Sequence, residues 1–422
     1  KAWETSVNYN TDFAYGGSRG FQPGSTFKPL ALVGWLQEKN GLNQVVDATR
    51  REFKPESWTA SCVDGRVTQD KYNPFNAEGG NSGPITVLNA TALSVNSAYI
   101  AMVNQMDLCT VFEAAEALGV HRATGEPIDV MPANVLGSQE VAPLSMAAAY
   151  AAFAAEGEYC TPIAITKVID ADGKELEVPS ANCHQAISKD VANAVTYALQ
   201  RVLTQGSASS VGGLPGRPSA GKTGTTNANW HTWFVGYTPQ MSTAVWVGHS
   251  EGNIPMQSVT INGRWFRNVY GSSVAAPTWK RFMTGAHDGK KVKGFPDINS
   301  RMLYGPQATV PNVIGKSESE ARSILGKAGF TVGSKIEKEY SDSVEKGKIS
   351  SQSYGAGSRI AKGSIITLKV SKGPEPDPCE GWDGKGKSPK GCDLPDGPDD
   401  DDGPGKKKRD RGRDWGNPRD DD

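Results

Sequence analysis

From Ser188 to His249 the residue pattern changes period once, and that change narrows the possible folds more than any other stretch. Ser188–Thr204 reads as a helix, with Ser188 as its N-cap and Asp190 in a first turn that favours negative charge. Three strand-like runs follow, Ala220–Thr225, Trp230–Tyr237 and Thr243–His249, and the last two are joined by the turn Thr238-Pro239-Gln240. So short a turn pairs them as an antiparallel hairpin. The expected class is therefore mixed, α/β in the broad sense and α+β in arrangement, with a central antiparallel sheet and helices beside it.

Other helices are expected on the same grounds. Phe27, Leu30, Ala31, Val33, Gly34 and Leu36 recur at helical spacing within Ser25–Lys39, and Gly41 stops the run. A second helix is expected from about Thr86 to Met106, broken or kinked near Ser94. A closing helix begins at Ala276, with Pro277 at an early position where its missing N–H costs little.

The pattern dissolves around 285–305, read as a linker (residues 291–307 between domains at 1–290 and 308–373). A compact unit follows. Ser317 with Glu320 makes a capping box, and Ala321, Ile324, Leu325 and Ala328 form the apolar face of its helix. Strands are expected at Phe330–Ile336, Lys348–Gln352 and Ile365–Val370. Residues 374–422 hold 17 Pro and Gly, with 10 basic and 15 acidic side chains. That composition cannot bury a core and predicts a disordered tail. The mixed-charge tail reads as solvated, with surface contact through Lys406–Arg413 as the alternative.

Six cysteines offer pairings. Cys160 and Cys183 flank an expected hairpin, Ile163–Ile169 and Glu175–Val178, whose ends come together. The expected bridges are Cys160–Cys183, Cys62–Cys109 and Cys379–Cys392, against the alternative of six buried thiols. With 45 Lys+Arg and 46 Asp+Glu the chain is nearly neutral, which gives no reason to expect nucleic acid. The longest apolar run, Leu144–Ala155, is too short to span a bilayer. The five histidines lack metal-ligand spacing, so no metal and no cofactor is expected. His231 reads as surface or core, and Trp230 or Trp233 as structural or bordering a cleft.

Three short elements carry chemistry: Ser25-Thr26-Phe27-Lys28, Ser94-Val95-Asn96 and Lys222-Thr223-Gly224-Thr225. Ser25 and Lys28 are three apart and share a helix face within hydrogen-bonding reach. A serine hydroxyl needs an adjacent base, and a lysine serves when burial or a second cation lowers its pKa; Lys222 can supply that charge. Gly24 lets the chain turn before Ser25, and N–H groups there can polarise a carbonyl oxygen. Ser94 and Asn96, two apart in a looped segment, point to one side, suited to proton relay and holding an amide. Gly224 leaves the backbone open for an extended peptide to lie alongside, and Lys222, Thr223 and Thr225 can hold a terminal carboxylate. Singly each element is a solvated helix face, a turn or a strand end; together and in order they match the set used by β-lactamases and penicillin-binding proteins.

The flanking residues sharpen the match. Phe21-Gln22-Pro23-Gly24-Ser25-Thr26-Phe27-Lys28-Pro29, Gly221-Lys222-Thr223-Gly224-Thr225-Thr226-Asn227, Trp233-Phe234-Val235-Gly236-Tyr237-Thr238-Pro239 and Ala275-Ala276-Pro277-Thr278-Trp279-Lys280 resemble the transpeptidase domain of class A (bifunctional) penicillin-binding proteins. The resemblance covers residues 1 to about 285. It implies a penicillin-binding/β-lactamase-like fold, no cofactor, and cross-linking of peptidoglycan outside the cytoplasmic membrane, a compartment compatible with disulfides. It implies Ser25 as acylated nucleophile, Lys28 as base, Ser94 and Asn96 in relay and binding, and Lys222 assisting. Thr223, Gly224 and Thr225 would grip the substrate, with the N–H groups of Ser25 and Thr225 as oxyanion hole. The implied partners are stem peptides (a D-Ala-D-Ala donor and an amine acceptor) and β-lactam antibiotics. The family's membrane helix and glycosyltransferase domain are not in this sequence, so the chain is expected to be an excised piece. Residues 308–373, from Val310-Pro311-Asn312-Val313-Ile314-Gly315 to Ser371-Lys372-Gly373, resemble a PASTA domain, a small β-α-β-β-type unit. That family is linked to muropeptide contact; a passive spacer is the equal alternative.

Three rival readings stand. A β-lactamase would need a water-activating glutamate with Asn four residues on, and no Glu between Asn96 and Lys222 has one. A D,D-carboxypeptidase differs only in using water as acceptor. A non-catalytic wall-binding or sensor protein would not need this residue set.

Overall fold

The computed structural model describes residues 5–76 and 83–380. Its main sheet has three antiparallel strands in chain order, Ala220–Thr225, His231–Thr238 and Met241–Gly248. Thr238 pairs with Met241, so the turn is the dipeptide Pro239-Gln240. The middle strand is buried at every position, because helices cover both its faces. On one face Tyr237 meets Tyr150 and Phe153 from helix Pro143–Ala154 and shares a hydrogen bond with Thr196 of helix Lys189–Thr204. On the other, Trp279 of helix Ala275–Ala286 packs on Phe234 and donates its indole N–H to the Gly236 carbonyl at 2.9 Å. Alternation along the strand sends neighbours to opposite faces, which is why one strand serves both layers. Ser188 caps its helix by accepting from Val191 N–H, as its position suggested.

A helical group lies beside the sheet: Lys28–Gln37, Val87–Ala92, Asn96–Val103 and Leu108–Ala117. Lys28–Gln37 is buried from Lys28 to Leu36, so it is a core helix with no polar face. The expected long helix from Thr86 is two helices. Between them Ser94 adopts φ 59°, a left-handed conformation that ends the first and redirects the second. The hairpin between Cys160 and Cys183 is shorter than expected. Only Val168–Ile169 pairs with Glu175–Leu176, and Ile163 and Ile165 are exposed, because nothing packs on them to hold a longer strand. Pairing of Glu158–Tyr159 with His184–Gln185 brings the two cysteines together. Both Cys160–Cys183 and Cys62–Cys109 are bonded. Cys392, and with it the expected tail pairing, lies outside the described residues, as does the tail from residue 381, including Lys406–Arg413.

The stretch read as a linker holds a short helix, Ser300–Tyr304, which periodicity did not mark. It docks on the first domain through Leu42 N–H to Met302 O (2.9 Å) and Asn43 N–H to Leu303 O (2.7 Å). Beyond it, helix Glu318–Lys327 carries the expected capping box and packs Ala321 and Leu325 into a second, small core with Val310, Val313, Ile349, Ile366 and Leu368. In this unit Leu368–Ser371 is flanked by Glu337–Glu339 (parallel) and Ile349–Gln352 (antiparallel). Gln44 reaches across from the first domain to donate to the Lys362 carbonyl at 2.6 Å. Among the described residues no helix is long and apolar enough to cross a membrane.

Candidate active site

Ser25 sits in a tight 3-10 turn, Gly24–Phe27, and the α-helix begins only at Lys28. The expected helix started at Ser25; the tighter turn instead carries it. In a 3-10 turn residues three apart eclipse one another, so Ser25 and Lys28 still share one side. Gly24 has φ 54°, as a sharp turn requires, and a Cβ there would lie 2.8 Å from the Thr225 carbonyl oxygen. Its N–H donates to the Gly137 carbonyl at 3.0 Å. Gly224, opposite, has the same role: a side chain there would strike the Pro23 carbonyl oxygen and lie 2.9 Å from Trp233 Cβ. Its glycine lets the serine turn rest against the strand, whereas the sequence suggested room for a peptide. Trp233, fully buried, donates its indole N–H to the Gln22 carbonyl (2.8 Å) and ties the turn to the sheet from below.

Lys28 is fully buried. Its Nζ donates to Ser94 O (2.6 Å), Ser94 Oγ (3.2 Å) and Asn96 Oδ1 (2.6 Å), which uses all three ammonium N–H directions. The left-handed turn at Ser94 is what aims its carbonyl and hydroxyl at one point. Ser25 Oγ is not among these partners, although the i, i+3 spacing suggested a direct bond. Lys28 is held well below its ordinary pKa, first by burial and then by the nearby charge of Lys222. Lys222 is likewise fully buried and donates to the Thr223 carbonyl at 3.2 Å. Burial and the neighbouring cation make the charged form of this lysine less favourable, which is what a base for a nearby serine needs.

A cavity of about 260 Å³ opens over Ser25. Of the residues given catalytic or substrate-binding roles from sequence, Ser25, Asn96 and Thr225 line it, with Gly24 beside them. Lys28, Ser94, Lys222, Thr223 and Gly224 form the layer behind. The Thr223 hydroxyl is engaged with Ser207 Oγ at 2.6 Å, and Thr225 Oγ1 accepts from Gly271 N–H at 3.2 Å. Ser25 N–H belongs to the first N–H groups of its turn, which lack partners inside it. Ala220–Thr225 is an edge strand of the described sheet, and such an edge can pair with an extended peptide. His231 is a core residue, its ring nitrogen accepting from Trp246 and its pKa lowered by burial and then by His249.

Sequence reasoning missed the cavity's other walls: Tyr72, Asn73 and Phe75 on one side, Leu136, Gly137 and Ser138 on another; Asn227, quoted in the third motif without a role, lies beyond the strand. None carries a local signal. Gly137, at φ 76°, could have been marked as a turn but not placed.

Comparison with known proteins follows this geometry. Residues 8–283 match the penicillin binding protein transpeptidase domain model, and residues 308–372 match the PASTA domain model. The chain is 34% identical over 304 residues to penicillin-binding protein 1A of Mycolicibacterium smegmatis, covering 68% of this chain and 35% of that protein. It is 33% identical over 305 residues to penicillin-binding protein 1A of Mycobacterium tuberculosis, covering 68% and 34%. It thus spans about a third of the length of these relatives. Among solved structures it is similar to the PonA1 protein from Mycobacterium tuberculosis in complex with penicillin V, with TM-score 0.56 and 32% identity over 68% of this chain and 74% of that one.

Proposed function

We propose that this chain, which belongs to the penicillin-binding protein transpeptidase family, is a serine D,D-transpeptidase that joins peptidoglycan stem peptides through an acyl-enzyme on Ser25. The observation that carries this reading is the convergence of Ser94 and Asn96 on the buried Nζ of Lys28, one 3-10 turn from Ser25 in an open cavity. A binding protein has no need to bury an ammonium and then lower its pKa.

The chemistry runs in two acyl transfers. Lys28, in its neutral form, takes the Ser25 Oγ proton as Oγ attacks the carbonyl of the penultimate D-Ala. The C–N bond to the terminal D-Ala breaks, and the proton returns to that leaving amine through Ser94. An amine from a neighbouring stem peptide then attacks the ester carbon, losing its proton to the same relay and releasing Ser25. The N–H groups of Ser25 and Thr225 stabilise the oxyanion. The edge of Lys222–Thr225 holds the donor as an added strand, with Thr225 facing its terminal carboxylate and Thr223 and Gly224 supporting it from the layer behind. β-Lactams enter as donor mimics and remain attached because no water-activating base is provided. On this reading the site works on the outer face of the cytoplasmic membrane, and the PASTA domain contacts muropeptide.

Intact mass after mixing with benzylpenicillin tests it. A stable gain equal to the whole antibiotic, absent in Ser25→Ala, is expected. Rapid antibiotic turnover without an adduct would replace the reading with a hydrolase, and neither adduct nor turnover would leave only a binding role. Product analysis with a stem pentapeptide and an acceptor amine separates transpeptidation from carboxypeptidase action.

A further inference from the structure

We infer that the segment from Thr49 to Asn76 is a positioning device for Asn96, holding its amide the right way round through the Phe75 carbonyl and held in place itself by the Cys62–Cys109 disulfide. The inference rests on the assignment of Ser25 and Lys28 as the reacting pair.

Asn96 must present its oxygen, not its NH₂, to Lys28. The two ends of an amide are nearly the same size, so packing cannot choose between them. The Phe75 carbonyl can, because it only accepts: Asn96 Nδ2 donates to it at 2.8 Å, leaving Oδ1 for Lys28 Nζ at 2.6 Å. With the amide reversed, two carbonyl oxygens would oppose each other and two donors would face the ammonium. The next residue braces the same place. Asn76 Oδ1 accepts from Ser97 N–H at 3.1 Å and its Nδ2 donates to Ser97 Oγ at 3.0 Å, which clamps the segment to the first turn of helix Asn96–Val103.

The segment has little order of its own. Its regular structure is one 3-10 turn, Pro55–Ser57, and a pair of hydrogen bonds between Phe53 and Tyr72 (2.8 and 2.9 Å). Its remaining anchors cluster at the far end of the helix that begins with Asn96. Asn104 donates to the Ser57 carbonyl (2.9 Å), Leu108 N–H to the Thr59 carbonyl (2.9 Å), and Ser61 N–H to Asp107 (3.1 Å). Cys62 is bonded there to Cys109 of helix Leu108–Ala117. The disulfide therefore staples the middle of the segment to the helices, while residues 72–75 meet the cavity.

The consequence is specific to proton chemistry. When the amide of Asn96 is free to turn, Lys28 loses an acceptor that favours its charged form, so its pKa falls further. The titratable groups facing Lys28 are Lys222 from the strand and Tyr99 from its own side of helix Asn96–Val103, with Tyr99's ring centre 5.3 Å from Nζ.

The test measures the rate of acylation by a fluorescent penicillin against pH for the wild type, Asn76→Ala, Cys62→Ser/Cys109→Ser and Ser25→Ala, with thermal melting of each. Asn76→Ala is expected to acylate roughly 10- to 100-fold more slowly, as for an angstrom-scale misplacement. Its acidic limb should move to lower pH, with melting little changed. The double cysteine variant should move the limb the same way and melt earlier. A slower rate with an unmoved limb in Asn76→Ala would overturn the inference, since general loosening predicts that. An unmoved limb in the cysteine variant alone would remove the disulfide from it. If the cysteine variant does not fold, Asn76→Ala decides. Absence of any adduct in the wild type, or an adduct in Ser25→Ala, would overturn the underlying assignment instead.

Discussion

Gly224→Ala puts the least possible matter at the place where the nucleophile turn meets the strand. The new methyl would strike the Pro23 carbonyl oxygen and lie 2.9 Å from Trp233 Cβ and 3.0 Å from Thr26 Cγ2. Ordinary contacts need several tenths of an ångström more at each. Trp233 cannot give way: it is fully buried and its indole is fixed to the Gln22 carbonyl. The movable party is the turn, which must lift by about 1 Å, and an error of that size at a reacting centre costs about 100-fold in rate. Overpacking itself costs about 1–3 kcal/mol, a modest fall in melting temperature for a domain of this size. The assay is penicillin acylation at fixed pH beside calorimetric melting, with Gly326→Ala as control. That glycine lies in a helix with open space around it, and alanine there should stabilise by up to about 1 kcal/mol and leave acylation unchanged. Acylation by Gly224→Ala within about twofold of wild type would refute the argument that the close approach sets the geometry.

Other perturbations have signed outcomes. Lys222→Met removes the charge that helps hold Lys28 low, so the acidic limb of any residual acylation should move to higher pH, read from a pH–rate profile. Because the Lys28 pKa is lower folded than unfolded, the unfolded chain binds more protons at pH values between the two. This group's contribution to stability should therefore grow as pH rises through that window, and denaturant titrations of wild type and Lys28→Met should diverge there. Removing the Cys160–Cys183 bridge, which closes 23 residues, should cost about 3 kcal/mol by the loop-entropy relation, with acylation unaltered because that hairpin does not line the cavity. Ser317→Ala should cost the small second core about 1 kcal/mol, seen as earlier melting of that unit alone.

What was legible in the sequence was whatever a short window contains. The capping box at Ser317, the N-cap at Ser188, the break at Ser94 and the hairpin around Pro239-Gln240 are local chemistry, and each is found where it was read. The three motifs were readable because their spacing is local too. Their meeting was not: Lys28 reaches Ser94 and Asn96 across more than sixty residues, and no periodicity reports that. The same limit hid Phe75 and Gly137, whose contributions come from main-chain atoms that every residue has. The helix Ser300–Tyr304 escaped because one turn has no period to detect; its docking on Leu42 and Asn43 gives it its shape. Ser25 and Lys28 lie one turn apart, but the direct bond read from their spacing did not follow, since a buried ammonium takes the nearest acceptors and Ser94 offers two.

The Ala220–Thr225 strand must keep one side unpaired for a peptide to join it, and a bare backbone edge does not distinguish a peptide from another protein's strand. Soluble proteins usually blunt such edges with exposed charge, yet the one charge in this strand, Lys222, points inward and is fully buried. Residues 72–75 of the stapled segment line the same cavity as Thr225, so that segment is part of what surrounds the open end of the edge. Loosening it should do more than slow a reaction: it should raise the tendency of the chain to self-associate, so that clumping on storage and catalytic decline would share one origin.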